Sequence, residues 1–366
     1  MRPAPSAAAQ RQSTSAHSGK ASAATGSPAD ARIAGRAART GVGRHRSPGR
    51  WFTAWEWLRA GSRPPRRDSP VGGLGILAQG RGLLAVGAVA AGGVLLAAFL
   101  PAAASAGGPK YVSLGDSFTS GPLIPDQTGR PVGCLRSNHD FPSLVAAAIG
   151  ASSLTDVSCA GADTTNMTGS EWVGLGTNPP QLNALTKATT LVTLQIGGND
   201  IGFSDIVLLC GALSFTDPFG APCQRHYTSG GTDRLARAVA QTGPKVAAVL
   251  AGIHQRAPAA RVLLLGYPVI VPSTGRGCWP LVPFAFGDVP YLRGVELKLN
   301  RMLAGEAAAH RATYVDTYTD SIGHDLCQGP GTKWVEGFVP TSPAAPVHPN
   351  ALGEKAMARQ VLAILG

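Results

Sequence analysis

The stretch that decides the fold is YVSLGDSFTSG, residues 111–121. Val112 and Leu114 are typical of a buried strand, and Gly115 allows a tight turn directly after it. Ser117 then follows the carboxyl end of that strand, which is where open α/β sheets bind their ligands. A serine in this place is either a candidate nucleophile or simply the cap of a short helix. The rest of the chain has to decide between the two.

Strands and helices alternate downstream of this stretch. The expected strands are residues 110–114, 154–158, 191–196, 261–266 and 313–316, several of them continuous apolar runs that suit strands buried on both faces. The expected helices are residues 140–149, 180–185, 232–256, 291–310 and 351–365, the last with Asn350 as its N-cap. This alternation predicts an α/β fold, a three-layer α/β/α sandwich with a central parallel sheet of the flavodoxin-like kind.

Three long segments do not fit the alternation: residues 122–138, 171–179 and 268–290. Segments of this length in a compact domain are usually functional or held by cross-links. We therefore expect them to form the walls of a site at the carboxyl ends of the strands.

The chain has 366 residues and a formal net charge of +11, but the excess lies near its start. Residues 1–106 contain 14 Lys/Arg and 3 Asp/Glu, whereas residues 107–366 contain 18 of each. A nucleic-acid partner is not expected, because the basic character is confined to the leader. Residues 1–81 are rich in Ala, Ser, Gly, Pro and Arg and lack periodicity, so they are predicted to form a disordered basic leader.

Residues 82–106 are predicted to direct export. Arg81 precedes an uncharged run at residues 82–100, and an Ala-x-Ala site follows at residues 104–106. We expect cleavage there and a secreted domain formed by residues 107–366. The run is also long enough to cross a bilayer, so the alternative is a membrane anchor that carries an extracellular domain.

All six cysteines lie after this segment, which suits an oxidising compartment and predicts three disulfides. They are Cys134, Cys159, Cys210, Cys223, Cys278 and Cys327. No CxxC pair or His/Cys cluster has zinc spacing, so no structural metal is expected. Cysteine count alone leaves the connectivity open.

A serine nucleophile needs a base within hydrogen-bond reach and donors where an oxyanion develops. Three later turns offer such groups. Gly161 lies in a small-residue turn after the second strand, and the third strand runs into GGND, residues 197–200, which contains Asn199. His348 lies in the proline-bounded sequence APVHPN, residues 345–350, just before the last helix.

With GDS, GGND and HPN in this order, residues 110–366 resemble the SGNH hydrolase family, also called GDSL esterases and lipases. The resemblance implies that Ser117 is the nucleophile and that His348 is the general base and then the general acid. It further implies an oxyanion hole made by the backbone N–H groups of Ser117 and Gly161 and the side chain of Asn199.

One position departs from the family pattern, because Ala345 stands three residues before His348 where an aspartate is usual. The chain is similar in this to the secreted actinobacterial subgroup, in which a backbone carbonyl orients the histidine. The resemblance therefore implies a Ser117–His348 dyad with the Ala345 carbonyl as its third member. It also implies cysteines paired in sequence order: Cys134 with Cys159, Cys210 with Cys223, and Cys278 with Cys327.

Other polar residues are expected to have structural roles. Asp116 is expected to form the turn and Asp200 to bind local backbone, while Asp325 is the alternative carboxylate for a remote triad. The remaining histidines of the domain are expected at the surface: His139, His226, His254, His310 and His324.

The expected function is hydrolysis of carboxylic esters through an acyl-enzyme on Ser117, with no metal or organic cofactor. Lipid or phospholipid acyl esters are the expected substrates, because the subgroup that the chain resembles includes lipases and phospholipases. Alternatives are a carbohydrate or cell-wall O-acetyl esterase and, outside the hydrolases, an anion-binding module that would have no use for His348 or Asn199. We expect a monomer that takes a small-molecule or lipid ester and contacts a lipid surface.

Overall fold

The computed structural model describes residues 107–366; the predicted leader, residues 1–81, and export segment, residues 82–106, lie outside the described residues. The strands are β1 Lys110–Gly115, β2 Ser153–Asp156, β3 Glu171–Trp172, β4 Thr177–Asn178, β5 Leu191–Gln195, β6 Arg261–Leu265 and β7 Thr313–Val315. The α-helices are α1 Ser117–Ser120, α2 Phe141–Ala148, α3 Phe203–Ser214, α4 Pro222–Thr228, α5 Arg234–Arg256, α6 Asp288–Ala309 and α7 Ala351–Leu365. Within residues 107–366, no helix combines the length and the apolar character needed to cross a membrane.

Five of the strands form one parallel sheet in the order β2-β1-β5-β6-β7. These are the five strands expected from the sequence, and the predicted α/β sandwich is confirmed. Because β1 lies between β2 and β5, the chain leaves β1 toward one side of the sheet and later continues on the other. The carboxyl end of β1 is therefore a topological switch point, the usual ligand position in such sheets.

Alternating side chains of the sheet enter two separate hydrophobic cores. Tyr111 and Leu263 point to one face, where they pack with residues of α2 and α7 such as Val361. Val112 points to the other face and packs with residues of α5 and α6 such as Leu250. Burial on both faces explains why these strands read as continuous apolar runs.

The structure differs from the expectation in three places. Residues 180–185 were expected to form a helix, but only a short 3-10 turn forms there, Gln181–Ala184. Helices α3 and α4 were not expected. The small antiparallel pair β3–β4 occupies the segment 171–179, which was expected to be irregular.

Three disulfides join Cys134 to Cys159, Cys210 to Cys223, and Cys278 to Cys327, the order that the family resemblance implies. The first ties the long loop after α1 to the turn that follows β2. The second links α3 to α4, and the third joins two segments that follow β6 and β7. Two of the three long loops are thus cross-linked to neighbouring parts of the domain.

Helix α7 begins where the sequence predicted, and Asn350 is its N-cap. The Asn350 side-chain oxygen accepts hydrogen bonds from the N–H groups of Leu352 (2.9 Å) and Gly353 (3.2 Å). Its amide nitrogen donates to the Lys333 carbonyl (2.9 Å) and to Glu336 (2.8 Å). Asn350 therefore ties the segment that carries His348 both to the helix and to the chain before it.

Candidate active site

Ser117 is the first residue of α1 and directly follows the turn at the end of β1. The N-cap of this helix is Asp116, whose carboxylate accepts a hydrogen bond from the Phe118 N–H at 2.9 Å. Capping is thus done by Asp116, which leaves the Ser117 hydroxyl free for another role. The alternative interpretation of Ser117 as a helix cap is wrong.

The backbone at Gly115 is held from several sides. A Cβ at this position would lie 2.8 Å from the Gln195 carbonyl oxygen, so no side chain fits without displacing β5. The Gln181 side chain accepts from the Gly115 N–H (2.8 Å) and donates to its carbonyl (2.9 Å), as a neighbouring strand would. The turn that presents Ser117 is therefore fixed before any ligand binds.

His348 meets Ser117 across the carboxyl edge of the sheet. The His348 Nε2 atom lies 2.7 Å from the Ser117 Oγ, and the Nδ1 atom lies 2.8 Å from the Pro346 carbonyl oxygen. A carbonyl can only accept, so Nδ1 carries the proton and Nε2 keeps a lone pair toward the serine hydroxyl. Burial lowers the pKa of His348, and the bond to the Pro346 carbonyl opposes this effect. The neutral imidazole is thus held in the tautomer that a general base needs.

The carbonyl that contacts the imidazole belongs to Pro346, so the expectation for Ala345 is wrong. The Ala345 carbonyl accepts the backbone N–H of His348 at 3.2 Å and closes a tight turn. Pro346 and Val347 are the central residues of that turn, and Val347 has a φ of 60°, the left-handed value found at the third position of type II turns. This geometry orients the peptide bond between Pro346 and Val347 so that the Pro346 carbonyl can contact the imidazole of His348.

Asn199 lies in the GGND turn at the end of β5, next to the carboxyl end of β1. Its Nδ2 atom donates one hydrogen bond to the Ala162 carbonyl at 2.8 Å. A primary amide has two N–H groups, so the second remains for a ligand. The contact also fixes the position of Asn199 relative to the turn that contains Gly161.

Gly161 has a φ of 98°, which favours glycine, in the turn after β2. Within residues 107–366, the backbone N–H groups of Ser117 and Gly161 have no hydrogen-bond acceptor.

Asp200 joins the turn after β5 to the segment after β2, because its carboxylate accepts from the Thr164 N–H (3.0 Å) and hydroxyl (2.6 Å). The turns after β1, β2 and β5 thus present unpaired N–H donors at neighbouring strand ends. Asp200 acts across these turns rather than on the local backbone that was expected.

Tyr267 connects two of these turns and was missed by the sequence reasoning. Its hydroxyl donates to the Asp116 carboxylate (2.5 Å) and accepts from the Gly198 N–H (2.8 Å). The Asn300 side chain in turn bonds both the N–H and the carbonyl of Tyr267. Burial raises the pKa of Asp116 to about 7, although the Tyr267 bond lowers it. A signal was present, since Tyr267 lies just beyond the end of β6, at the same edge of the sheet as Ser117.

Replacing Tyr267 with phenylalanine is expected to destabilise the protein by about 1–3 kcal/mol, because it leaves two buried polar groups without a partner. The measurement is the free energy of unfolding from urea titration. The double variant with Asp116→Asn should show non-additive losses, since the two residues share one hydrogen bond. An unchanged unfolding midpoint in Tyr267→Phe would contradict this assignment.

Aromatic rings enclose the imidazole and border a cavity. The His348 ring lies 5.2 Å from the Phe118 ring and 5.9 Å, edge to face, from the Phe203 ring. Behind Phe203, a small cavity of about 70 Å³ extends between α3 and α6. Its lining is almost entirely apolar: Gly198, Ile201, Phe203, Ile206, Val207, Tyr267, Ile270, Val271, Phe284, Leu292, Val295, Glu296 and Leu299.

The competing polar residues lie elsewhere. Both carboxylate oxygens of Asp325 are used locally, by the Cys327 N–H (2.9 Å) and the Gln328 side chain (3.1 Å). His324 stacks on Trp334 with ring centroids 3.9 Å apart. No cluster of three His, Cys, Asp or Glu side chains among residues 107–366 could hold a metal ion.

Comparison with known proteins gives concordant matches. The sequence profile of the GDSL-like lipase/acylhydrolase family matches residues 113–356. Lipase 2 of Streptomyces coelicolor is 40% identical over 259 residues, which are 70% of this chain and 85% of that protein.

Two crystal structures, both with 28% identity, are similar to this chain. Phospholipase A1 from Streptomyces albidoflavus has a TM-score of 0.58 and covers 71% of this chain and 100% of its own. The extracellular lipase from Streptomyces rimosus has a TM-score of 0.56, and the match covers 69% of this chain and 98% of the lipase chain.

Proposed function

The chain belongs to the GDSL-like lipase/acylhydrolase family and is an ester hydrolase, and on this premise we propose that Ser117 and His348 carry out the reaction as a dyad. The observation that carries the proposal is the 2.7 Å contact between Ser117 Oγ and His348 Nε2. The supporting detail is the Pro346 carbonyl, which keeps the proton on Nδ1.

The proposed reaction has two halves. His348 Nε2 takes the Ser117 proton while Oγ attacks the ester carbonyl carbon, and the resulting imidazolium then protonates the leaving alcohol. Water, activated by the same nitrogen, hydrolyses the acyl-enzyme and restores Ser117. The tetrahedral oxyanion is stabilised by the N–H groups of Ser117 and Gly161 and by the free N–H of the Asn199 amide. No step requires a metal or an organic cofactor.

The acid limb of kcat/KM is expected to have its midpoint below 6.5, the ordinary pKa of histidine. Burial disfavours the imidazolium, and the third member is an uncharged carbonyl instead of a carboxylate that would stabilise that cation. His348 therefore stays neutral and competent to lower pH than an exposed histidine. The measurement is kcat/KM for a soluble ester from pH 4.5 to 9; a midpoint above 6.5 would contradict the expected electrostatics.

The apolar lining of the cavity behind Phe203 favours esters with an alkyl acyl chain over acetyl esters as substrates. It borders Gly198, the residue before Asn199, and it is closed by aliphatic side chains of α3 and α6. An alkyl chain buries apolar area there, whereas an acetyl group does not need such a space. The similar proteins named lipase and phospholipase A1 agree with lipid acyl esters. The carbohydrate O-acetyl esterase alternative has no comparable feature in its favour.

Contact with a lipid surface is supported by exposed apolar side chains near this cavity. Leu208 on α3 and Phe215, the C-cap of that helix, are 68% and 66% exposed, and Leu281 of the segment after β6 is 81% exposed. The Phe215 ring lies 6.2 Å from that of Trp279, so these two rings form an apolar patch, and Leu281 lies two residues beyond Trp279. Patches of this kind mark interaction sites. We propose that the patch touches the aggregated lipid that supplies the substrate.

The proposed location is outside the cell, because three disulfides suit an oxidising compartment. A secreted domain is proposed, with a membrane-anchored form as the alternative. All proposed site residues come from one chain, so a monomer is sufficient for activity.

The test of acyl-chain binding compares soluble p-nitrophenyl octanoate with the acetate. The ratio of the two kcat/KM values is expected to favour octanoate by about tenfold or more, and Val207→Trp, which fills the cavity, should reduce this ratio by a similar factor. Ala212→Trp, on the exposed face of the same helix, is the matched control and should retain the ratio. Equal rates for both esters in the unmodified protein would reject the cavity as an acyl site.

A further inference from the structure

The three most exposed large apolar side chains of residues 107–366 come from three different connections of the sheet. Phe219 (78% exposed) follows β5, Leu281 (81%) follows β6, and Val339 (79%) follows β7. Because the sheet is parallel, all three connections leave its carboxyl edge, which is also the edge that carries Ser117. The exposed apolar side chains therefore belong to the connections that begin at the proposed site.

The three connections pack on one another and form one surface. The Phe286 N–H donates to the Pro218 carbonyl at 2.9 Å, and the Phe286 ring lies 5.7 Å from the Phe219 ring, so the second connection is joined to the first. The third connection packs on the second through Phe338, whose ring lies edge to face with that of Phe284 at 5.4 Å. The exposed side chains are thus held on one contiguous part of the domain.

We call residues 206–220, 277–287 and 337–347 the apolar surface, and it is almost free of charge. The one charged side chain in these three segments is Asp217. Its carboxylate lies 2.7 Å from the guanidinium of Arg225, which balances its charge. Anionic membranes are usually bound through clusters of Lys and Arg, and these segments contain neither. The composition fits a lipid surface without net charge, which is bound through buried apolar area alone.

The position of the apolar surface favours lipid over a protein as its occupant. Phe284 of the second segment lines the cavity of the proposed acyl site, and the third segment ends one residue before His348. A protein docked here would cover the approach to that site, whereas a lipid surface would supply the ester to it. We propose that the apolar surface binds electrically neutral lipid surfaces, with Phe219, Leu281 and Val339 inserted as anchors. This inference rests on the proposed hydrolysis of lipid esters.

Two disulfides hold the apolar surface in place. The Cys210–Cys223 bond closes the segment that contains Phe219, and the Cys278–Cys327 bond fixes the segment that contains Leu281. A binding surface that is already ordered loses little conformational entropy when it meets its partner. The anchors are therefore presented to lipid without a prior rearrangement of these segments.

The experiment measures binding to phosphatidylcholine vesicles by co-sedimentation, with Ser117→Ala as the background so that the lipid is not consumed. Binding is expected to change by less than about twofold when a fifth of the lipid is phosphatidylglycerol or when salt is raised tenfold, because the apolar surface has no basic side chain. Phe219→Ser combined with Leu281→Ser should weaken vesicle binding by about tenfold or more.

The matched control combines Trp172→Ser with Leu175→Ser. These side chains are 71% and 66% exposed in the β3–β4 hairpin, which follows the strand at the other end of the sheet. The control pair should leave vesicle binding within about twofold, since it lies outside the apolar surface. In protein that retains Ser117, both pairs of substitutions should leave kcat/KM for soluble p-nitrophenyl butyrate within about twofold.

No binding to phosphatidylcholine, binding that requires phosphatidylglycerol, or an equal loss in both pairs of substitutions would overturn the inference. Analytical ultracentrifugation covers the other occupant: a dimer that becomes a monomer with Phe219→Ser and Leu281→Ser would assign the surface to a second copy of the chain, and this too would overturn it. Absence of butyrate hydrolysis by the unmodified protein would instead reject the proposed function.

Discussion

Replacing Ser117 with alanine is expected to lower kcat for ester hydrolysis by on the order of 10⁴–10⁶. Without Oγ no acyl-enzyme forms, and only the oxyanion donors and substrate binding remain. The fold should persist, because the side chain makes its only hydrogen bond among the described residues to His348 and alanine is a good helix former. The measurement combines p-nitrophenyl butyrate turnover with the melting temperature.

The matched control for this variant is Ser120→Ala in the same short helix. Ser120 is also fully buried, but its hydroxyl has no hydrogen-bond partner among residues 107–366. Its removal should leave turnover within about twofold and should not lower the stability, because no hydrogen bond is lost. Normal turnover in Ser117→Ala, or an equal loss in both variants, would reject Ser117 as the nucleophile.

Replacing Asn199 with alanine is expected to lower kcat by about 10²–10³, with a much smaller change in KM. The free amide N–H contacts the oxygen strongly only when negative charge develops, so its loss acts on the transition state. Asn199→Asp should be at least as harmful, since a carboxylate would face the oxyanion. The measurement is the full dependence of rate on ester concentration.

The control for Asn199 is Asn183→Ala, which removes an exposed amide, and it should leave kcat unchanged. Because Asn199 also bonds the Ala162 carbonyl, the melting temperature has to be measured as well. A rise in KM at constant kcat would contradict the assignment to the oxyanion hole.

The sheet could be predicted because its three central strands, β1, β5 and β6, are buried on both faces and are short runs of mostly apolar residues. Helix α3 could not, because apolar residues lie on its exposed face as well as its buried one. Leu208 and the C-cap residue Phe215 face outward while Cys210 is buried, so the periodicity that reveals an amphipathic helix is lost. The pair β3–β4 has only two residues in each strand, too few for an alternating pattern.

The residues of the proposed site also fall into two groups, those that the sequence could predict and those that it could not. Ser117, Asn199 and His348 each lie in a turn next to a regular element, where local sequence carries the signal. Gln181 and Tyr267 act through contacts between segments distant in sequence, which local patterns do not encode. The wrong prediction that the Ala345 carbonyl orients His348 has a different origin. The carbonyl that reaches the imidazole is set by a left-handed φ at Val347, and a β-branched residue gives no sign of that conformation.

The central claim is that Ser117, activated by His348, forms the covalent acyl-enzyme. Labelling with a fluorophosphonate, followed by mass spectrometry of the intact protein and its peptides, tests this most directly. We expect one adduct per chain on Ser117, complete loss of ester hydrolysis on full labelling, and no adduct with Ser117→Ala. An adduct on another residue, or hydrolysis that survives full labelling, would contradict the account.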